Sequence, residues 1–187
     1  MENNWETFKQ KKIGCLEKEL EVFINKLEEI RSNRISLEAI RKIVIDYQRE
    51  KKFLKEIASL RISSNHELVV RAFDPKMTSL IAKMILNKKP WYKIETEKST
   101  KEETYFTLTP ITTQIKEKLV KEVKLITEAG KKSFRLIHQE LKNWLKKETA
   151  LSKDQKKSYE KQADKLVKDY QEKLTAAEEK KIKELSS

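Results

Sequence analysis

The chain has 187 residues, with 42 lysines and arginines against 30 aspartates and glutamates, a formal net charge of +12, and only 2 glycines, 3 prolines and 1 cysteine. One cysteine excludes an intrachain disulfide framework or a cysteine-cluster metal site, and it favours a reducing compartment. Two isolated glycines exclude the glycine-rich loops that hold nucleotide phosphates. Alanine, glutamate, lysine, leucine and arginine make up 95 residues, a share typical of long helices.

The sequence gives no sign of a membrane or an export signal. It lacks any run of about 18 apolar residues that would cross a bilayer. The first six residues, Met1-Glu2-Asn3-Asn4-Trp5-Glu6, contain neither a basic segment nor an apolar one. We therefore expect a cytoplasmic protein with no membrane partner.

The first predicted element is an amphipathic helix over residues 5–30. Its apolar stripe follows 3/4 spacing, and Lys12 is the one polar member. The stripe consists of Trp5, Phe8, Lys12, Leu16, Leu20, Phe23, Leu27 and Ile30.

Residues 31–108 change character, because apolar and polar residues alternate with a period of two in several short runs. These runs predict strands at 43–47, 58–62, 68–72, 92–96 and 105–108. Asp74, followed by Pro75, predicts the start of a short helix between the third and fourth strands. The last two runs flank a polar segment, as the strands of a hairpin do.

Two long helices complete the chain. The second predicted helix runs from about Thr112 to Glu148, and Gly130 in its apolar seam indicates close packing against a neighbouring helix. The third begins at Ser152, where Ser152-x-x-Gln155 matches a capping box. The predicted fold is α+β: an elongated antiparallel three-helix bundle (1–30 and 109–187), with a small β/α/β domain (31–108) inserted between its first and second helices.

The positive charge is spread over the predicted folded segments. Residues 1–30 carry a net charge of −2, residues 31–105 carry +7 and residues 106–187 carry +7. This distribution favours folded faces that contact a polyanion. The alternative is a lysine bias of the genome, since 35 of the 42 basic residues are lysine.

A basic ridge is predicted on the second helix, beside its apolar seam. Its members recur at spacings of 4, 3, 4 and 4, which places them on one face. They are Lys131, Arg135, His138, Lys142 and Lys146. Such a ridge suits contacts with a phosphate backbone. The alternative is an ordinary solvated face, but Arg135 is the only arginine after Arg71, and its guanidinium favours phosphate.

The sequence offers no catalytic constellation. His66 and His138 have no histidine or cysteine partner three or four residues away that would complete half of a zinc site. Cys15 is interpreted as a small apolar residue of the first helix. Carboxylates alternate with lysines at helical spacing and are interpreted as surface pairs. We therefore expect neither an enzyme, nor a cofactor, nor a metal site.

The segment Arg31-Ser32-Asn33-Arg34 follows the first helix and leads into the inserted domain. One interpretation is a helix C-terminus, in which Asn33 adopts the left-handed conformation and the two arginines oppose the helix dipole. The other is a joint that sets the angle between the domains.

From about Leu16 onward, the chain resembles bacterial ribosome recycling factor. The matching segments occur in the family's order and spacing over about nine-tenths of the chain. They are Lys18-x-x-Glu21-x-Phe23, Ile30-Arg31-Ser32-Asn33-Arg34, Ile43-Val44-Ile45-Asp46-Tyr47, Leu54-x-x-Ile57-Ala58-Ser59, Phe73-Asp74-Pro75-Lys76-Met77 and Leu108-Thr109-Pro110-Ile111-Thr112.

The resemblance implies an L-shaped, monomeric and non-enzymatic translation factor. Such a factor binds the large ribosomal subunit after termination and splits the ribosome with elongation factor G, which hydrolyses the GTP. Its bundle lies on ribosomal RNA (rRNA). The family's rRNA-binding arginines fall on Arg135, His138 and Gln139, and flanking Lys131 and Lys142 are expected to compensate at His138.

The resemblance also implies a hinge. The family's Arg-Thr-Gly-Arg joint falls on Arg31 to Arg34, with Asn33 in place of glycine. The chain returns through residues 105–111, and residues 31–34 and 105–111 are expected to form a two-stranded hinge. Its hinge residues are Arg31, Asn33, Arg34, Thr109 and Pro110. The competing class of protein is a basic coiled-coil adaptor or chaperone-like module, which would use the same helices to bind a partner protein.

Overall fold

The computed structural model describes residues 4–47 and 49–186. Six α-helices and six strands follow one another along this part of the chain, with a single 3-10 turn before the fourth helix. In order they are α1 (Asn4–Glu29), α2 (Leu37–Arg41), β1 (Val44–Tyr47), β2 (Glu50–Phe53), α3 (Leu54–Ile57), β3 (Ala58–Ser64), β4 (Glu67–Ala72), the 3-10 turn (Pro75–Met77), α4 (Thr78–Lys88), β5 (Tyr92–Ile94), β6 (Glu103–Leu108), α5 (Thr113–Lys147) and α6 (Lys153–Ser186).

The chain forms two compact units. The first comprises the residues up to Ile30 and Glu117–Lys183, and the second comprises Arg31–Lys116 together with the residues from Glu184 onward. The predicted α+β class, with long helices and a small sheet, is therefore confirmed. The domain limits of 1–30 with 109–187, and of 31–108, stay a prediction.

In the first unit, α1, α5 and α6 form a three-helix bundle. α5 has 35 residues and α6 has 34, so each is about 50 Å long. Trp5 near the start of α1 packs against Trp144 near the end of α5, while Ser133, midway along α5, donates to Glu19 of α1. α1 and α5 are therefore antiparallel. Trp5 also stacks on Tyr159 near the start of α6, so α1 and α6 are parallel.

The core of the bundle follows the predicted apolar stripes. Its fully buried members include Trp5, Leu16, Phe134, Leu141, Leu145 and Leu174. Gly130 is buried where α5 meets the other two helices. A Cβ atom built on it would lie 2.5 Å from Leu174 Cδ2 and 3.1 Å from the ring of Phe23. The absence of a side chain therefore permits this close approach.

The start of α6 has the predicted capping box. Ser152 Oγ accepts a hydrogen bond from the backbone N–H of Gln155, 3.2 Å away. In return, the side-chain oxygen of Gln155 accepts from the N–H of Ser152, at 2.9 Å. Two otherwise unpaired backbone donors are satisfied, which fixes the point where the helix begins.

The second unit is built on an antiparallel sheet with strand order β3-β4-β6-β5. The predicted β5/β6 hairpin is confirmed, although β5 ends at Ile94, and Tyr92 pairs with Leu108. One face of the sheet, together with Ile81 and Ile85 of α4, forms a core that includes Leu68 and Phe106. Asp74 accepts from the N–H of Lys76, at 3.0 Å, as predicted for a cap.

Three elements of this unit were not expected from the sequence. β2 pairs only with β1, and its residues Glu50-Lys51-Lys52-Phe53 show no apolar alternation. α2 and α3 have only five and four residues, too few to display a helical period. Arg49, between β1 and β2, has a φ of 70°, a conformation more usual for glycine or asparagine. The hairpin therefore lacks its usual sequence signal.

Among the described residues, no helix is both long and apolar enough to cross a membrane.

Candidate nucleic-acid interface

The predicted basic ridge lies along α5, on the flank that faces α6. The core of α5 is formed by its apolar seam, and the ridge residues come one position after seam residues at several turns. Arg135 and Lys146 are exposed, whereas Lys131, His138 and Lys142 are partly buried. The helical period thus does bring the five positions to one side of α5.

Lys131 is held by two carboxylates. Its Nζ lies 3.6 Å from Glu128 of the same helix and 3.9 Å from Glu178 of α6. Glu178 is largely buried against the helices, with 16% of its side chain exposed. The charge of Lys131 is therefore partly neutralised within the bundle.

His138 and Lys142 share one carboxylate on α6. Asp164 Oδ1 lies 2.7 Å from His138 Nε2 and 3.1 Å from Lys142 Nζ. Because an ionised carboxylate only accepts, the imidazole N–H and the ammonium both donate to the same oxygen. Lys142 first, and His138 second, hold the pKa of Asp164 below its ordinary value.

Arg135 differs from these three residues. It lies on the solvent side of the ridge, and no ion pair joins it to a carboxylate anywhere in residues 4–47 or 49–186. Its guanidinium is thus available for two parallel hydrogen bonds to an incoming phosphate. The other residues expected to bind RNA, Lys131, His138 and Lys142, are paired with carboxylates, so Arg135 has the environment best suited to binding a phosphate.

The sequence did not predict the two carboxylates of α6 that contact the ridge. Asp164 and Glu178 lie on α6 and face α5 only because the two helices pack antiparallel in one particular register. The helical period places Asp164 and Asp169 on different faces of α6, but it does not show which of the two faces α5. The two lysines expected to compensate for His138 are therefore already paired with carboxylates.

The predicted hinge segments meet within the second unit. The guanidinium of Arg31 donates to the backbone carbonyl of Thr109. Thr109 is fixed in turn, because its hydroxyl and its N–H both bond to the carbonyl of Trp91, at 2.8 and 3.1 Å. Arg34 and Pro110 are exposed. A hydrogen bond from the side chain of Arg31 thus joins residues 31–34 to residues 109–110.

Burial around Arg31 perturbs two ionisable groups. Partial desolvation lowers the pKa of Arg31, and its Nε atom has no hydrogen-bond partner among the described residues. Burial also raises the pKa of Tyr92 to about 12, an effect that the nearby charge of Arg31 partly opposes.

One interpretation of this segment is wrong. Arg49 is the only described residue other than glycine with a positive φ, so Asn33 is not in the left-handed conformation. α1 ends at Glu29, four residues earlier. Asn33 therefore does not form the helix terminus that its residue type suggested.

Comparison with known proteins identifies the family. The family model described as "Ribosome recycling factor" matches residues 23–185. The chain belongs to the ribosome recycling factor family. The sequence is 28% identical to the ribosome-recycling factor of Mycoplasmoides gallisepticum over 169 residues, which cover 88% of each protein. It is 24% identical to that of Aquifex aeolicus over 175 residues, or 92% of this chain and 91% of the other.

Two solved structures share the fold. A solution structure of the ribosome recycling factor superposes with a TM-score of 0.84 at 21% identity, covering 100% of this chain and 99% of the other. The second is the T. thermophilus ribosome recycling factor, in models with E. coli elongation factor G bound to the E. coli post-termination complex. Its TM-score is 0.70 at 24% identity, with 98% and 99% coverage. At these identities both likenesses concern the fold.

Proposed function

We propose that this chain is a cytoplasmic, monomeric translation factor that binds the large ribosomal subunit after termination. With elongation factor G, it splits the post-termination complex and so recycles the ribosome. The observation that carries this proposal is the family match over residues 23–185, together with the fold that matches two recycling factor structures. The chain performs no catalysis of its own in this scheme and needs no cofactor, because the elongation factor hydrolyses GTP.

We propose that four residues of the ridge of α5, namely Lys131, Arg135, His138 and Lys142, form the rRNA-binding surface. The net charge of +7 over residues 106–187 supports this assignment, because phosphate contacts require positive potential. The guanidinium of Arg135, which is exposed and has no carboxylate partner among the described residues, also supports this assignment. Arg135 supplies the main phosphate contact, Lys131 and Lys142 add positive charge beside it, and His138 adds a hydrogen-bond donor.

We also propose that Arg31, Asn33, Arg34, Thr109 and Pro110 form the hinge. The bond from Arg31 to the carbonyl of Thr109 supports this, because it couples the two chain segments at a single point. Measurements of 15N NMR relaxation are expected to give different tumbling times for amides of residues 50–108 and of residues 120–180. One common tumbling time would contradict the hinge.

The function is tested by splitting purified post-termination ribosomes. Light scattering is expected to fall when the chain, elongation factor G and GTP are all added, and to stay constant when any one of them is omitted. Scattering that stays constant with all three components, or subunit splitting without the elongation factor, would contradict the proposed function.

A further inference from the structure

The carboxylate of Asp164 lies against the ridge, within hydrogen-bond distance of two of its members. One of its oxygens accepts from both His138 and Lys142, at 2.7 and 3.1 Å. These are the distances at which an RNA phosphate would accept from the same two donors. Two of the four proposed RNA-binding residues are thus already engaged by one anionic side chain of the protein itself.

The position is open to solvent. About half of the Asp164 side chain is exposed (53%), and 40% of the Lys142 side chain is exposed. Ion pairs in such settings contribute little to stability, because water screens them and the side chains lose freedom. The carboxylate is therefore displaceable, unlike the more buried Glu178 beside Lys131.

We propose that Asp164 competes with an rRNA phosphate for His138 and Lys142, and so lowers the affinity of the protein for the ribosome. This inference rests on the proposed function. While Asp164 binds His138 and Lys142, it reduces the positive potential of the ridge around them, and an incoming phosphate must displace it. Arg135 has no such competitor and makes its contact freely.

Replacement of Asp164 by asparagine removes the competing charge and preserves the shape of the side chain. Once displaced, the carboxylate still lies near the phosphate, and at an assumed separation of about 6 Å their repulsion weakens binding by about three- to tenfold at low salt. Asp164→Asn is therefore expected to bind isolated large subunits about three- to tenfold more tightly than the wild type. The plot of log K against log salt is expected to steepen by about one, because at least one more phosphate contact forms.

Asp169→Asn is the matched control. Asp169 is exposed on α6, carries the same charge, and forms no ion pair in the part of the chain that the structure describes. Its replacement changes the net charge equally but lies on another face of the helix, so we expect less than a twofold effect. A similar gain in affinity for both variants would show that only the net charge of the protein matters, and it would overturn the proposal.

A second control removes the two side chains that donate to Asp164. In a His138→Ala/Lys142→Ala background, Asp164→Asn is expected to gain no more than Asp169→Asn does. A full gain in that background would overturn the proposal, as would weaker binding by the single Asp164→Asn variant with unchanged circular dichroism. If Arg135→Ala weakens binding while Asp164→Asn matches Asp169→Asn, only the role of Asp164 fails. If salt and Arg135→Ala both leave binding unchanged, the proposed RNA interface itself fails.

Discussion

Replacement of Gly130 by alanine tests the close packing of the helical bundle at this position. In an isolated helix this change stabilises by about 1 kcal/mol, because alanine loses less backbone entropy on folding. In the bundle, the new Cβ would lie 2.5 Å from Leu174 Cδ2 and 3.1 Å from two ring atoms of Phe23. Both neighbours are buried, and Leu174 is fully so, which leaves their side chains little room to move.

The magnitude follows from two opposing effects. Overpacking by one methyl group in a close-packed core costs about 1–3 kcal/mol. After the gain in helix propensity is subtracted, Gly130→Ala is expected to lower the free energy of unfolding by up to about 2 kcal/mol. Gly14 offers a control in α1, since a Cβ there meets no atom within 4 Å. Gly14→Ala is therefore expected to raise stability by about 0.5–1 kcal/mol.

Urea unfolding followed by far-ultraviolet circular dichroism measures both variants, because α1, α5 and α6 supply most of the helical signal. We expect a difference of about 0.5–3 kcal/mol between the variants, with Gly14→Ala the more stable. Equal stabilisation by both substitutions would show that Gly130 is not required for packing, and would refute the reasoning.

Three further predictions concern stability. Ser152→Ala removes the capping box of α6 and is expected to cost about 1 kcal/mol in urea unfolding; an unchanged midpoint would contradict the role of the cap. Trp5→Ala leaves a cavity between Trp144 and Tyr159 and is expected to lower the free energy of unfolding by about 3–5 kcal/mol. A loss below about 1 kcal/mol would contradict a stabilising role for this side chain. The pKa of Tyr92 is raised to about 12 from 10 by burial, so folding favours its protonated form. The stabilisation that Tyr92 contributes is fully present below about pH 10 and is lost as the pH rises towards 12. Tyr92→Phe is expected to flatten that decline, and an identical alkaline profile would contradict the assignment.

The sequence predicts the bundle well because periodicity over many turns is a strong signal. α5 and α6 are each about nine turns long, which lets their apolar spacing recur many times, and the capping box at Ser152 marks a start that the hydrogen bonds reproduce. Gly130 was informative for the opposite reason, since it disfavours the helix but stands in the apolar seam, where close packing explains it; Gly14 in α1 meets no such crowding.

The short elements of the second unit could not be found in this way. β2 has one apolar residue, which is exposed, and it owes its structure to backbone pairing with β1. α2 and α3 are about one turn long, so tertiary contacts rather than periodicity determine them.

The candidate site was predicted only on one of its two helices. The spacing of Arg135, His138 and Lys142 is a local property of α5 and is visible in the sequence. The position of Asp164 depends on the register between α5 and α6, which no local pattern encodes. The same holds for Arg31, whose bond to Thr109 joins residues 78 positions apart.

The central claim is that Arg135 contacts a phosphate of rRNA. The most direct test is a salt titration of binding to purified large subunits, comparing the wild type with Arg135→Ala. Lys11→Ala serves as the control, because Lys11 is an exposed cation on α1 within the acidic first 30 residues. We expect wild-type affinity to fall steeply with salt. Arg135→Ala is expected to weaken binding and to reduce the slope by about one, whereas Lys11→Ala is expected to change neither appreciably. Binding by Arg135→Ala with wild-type affinity and slope at physiological salt would contradict it.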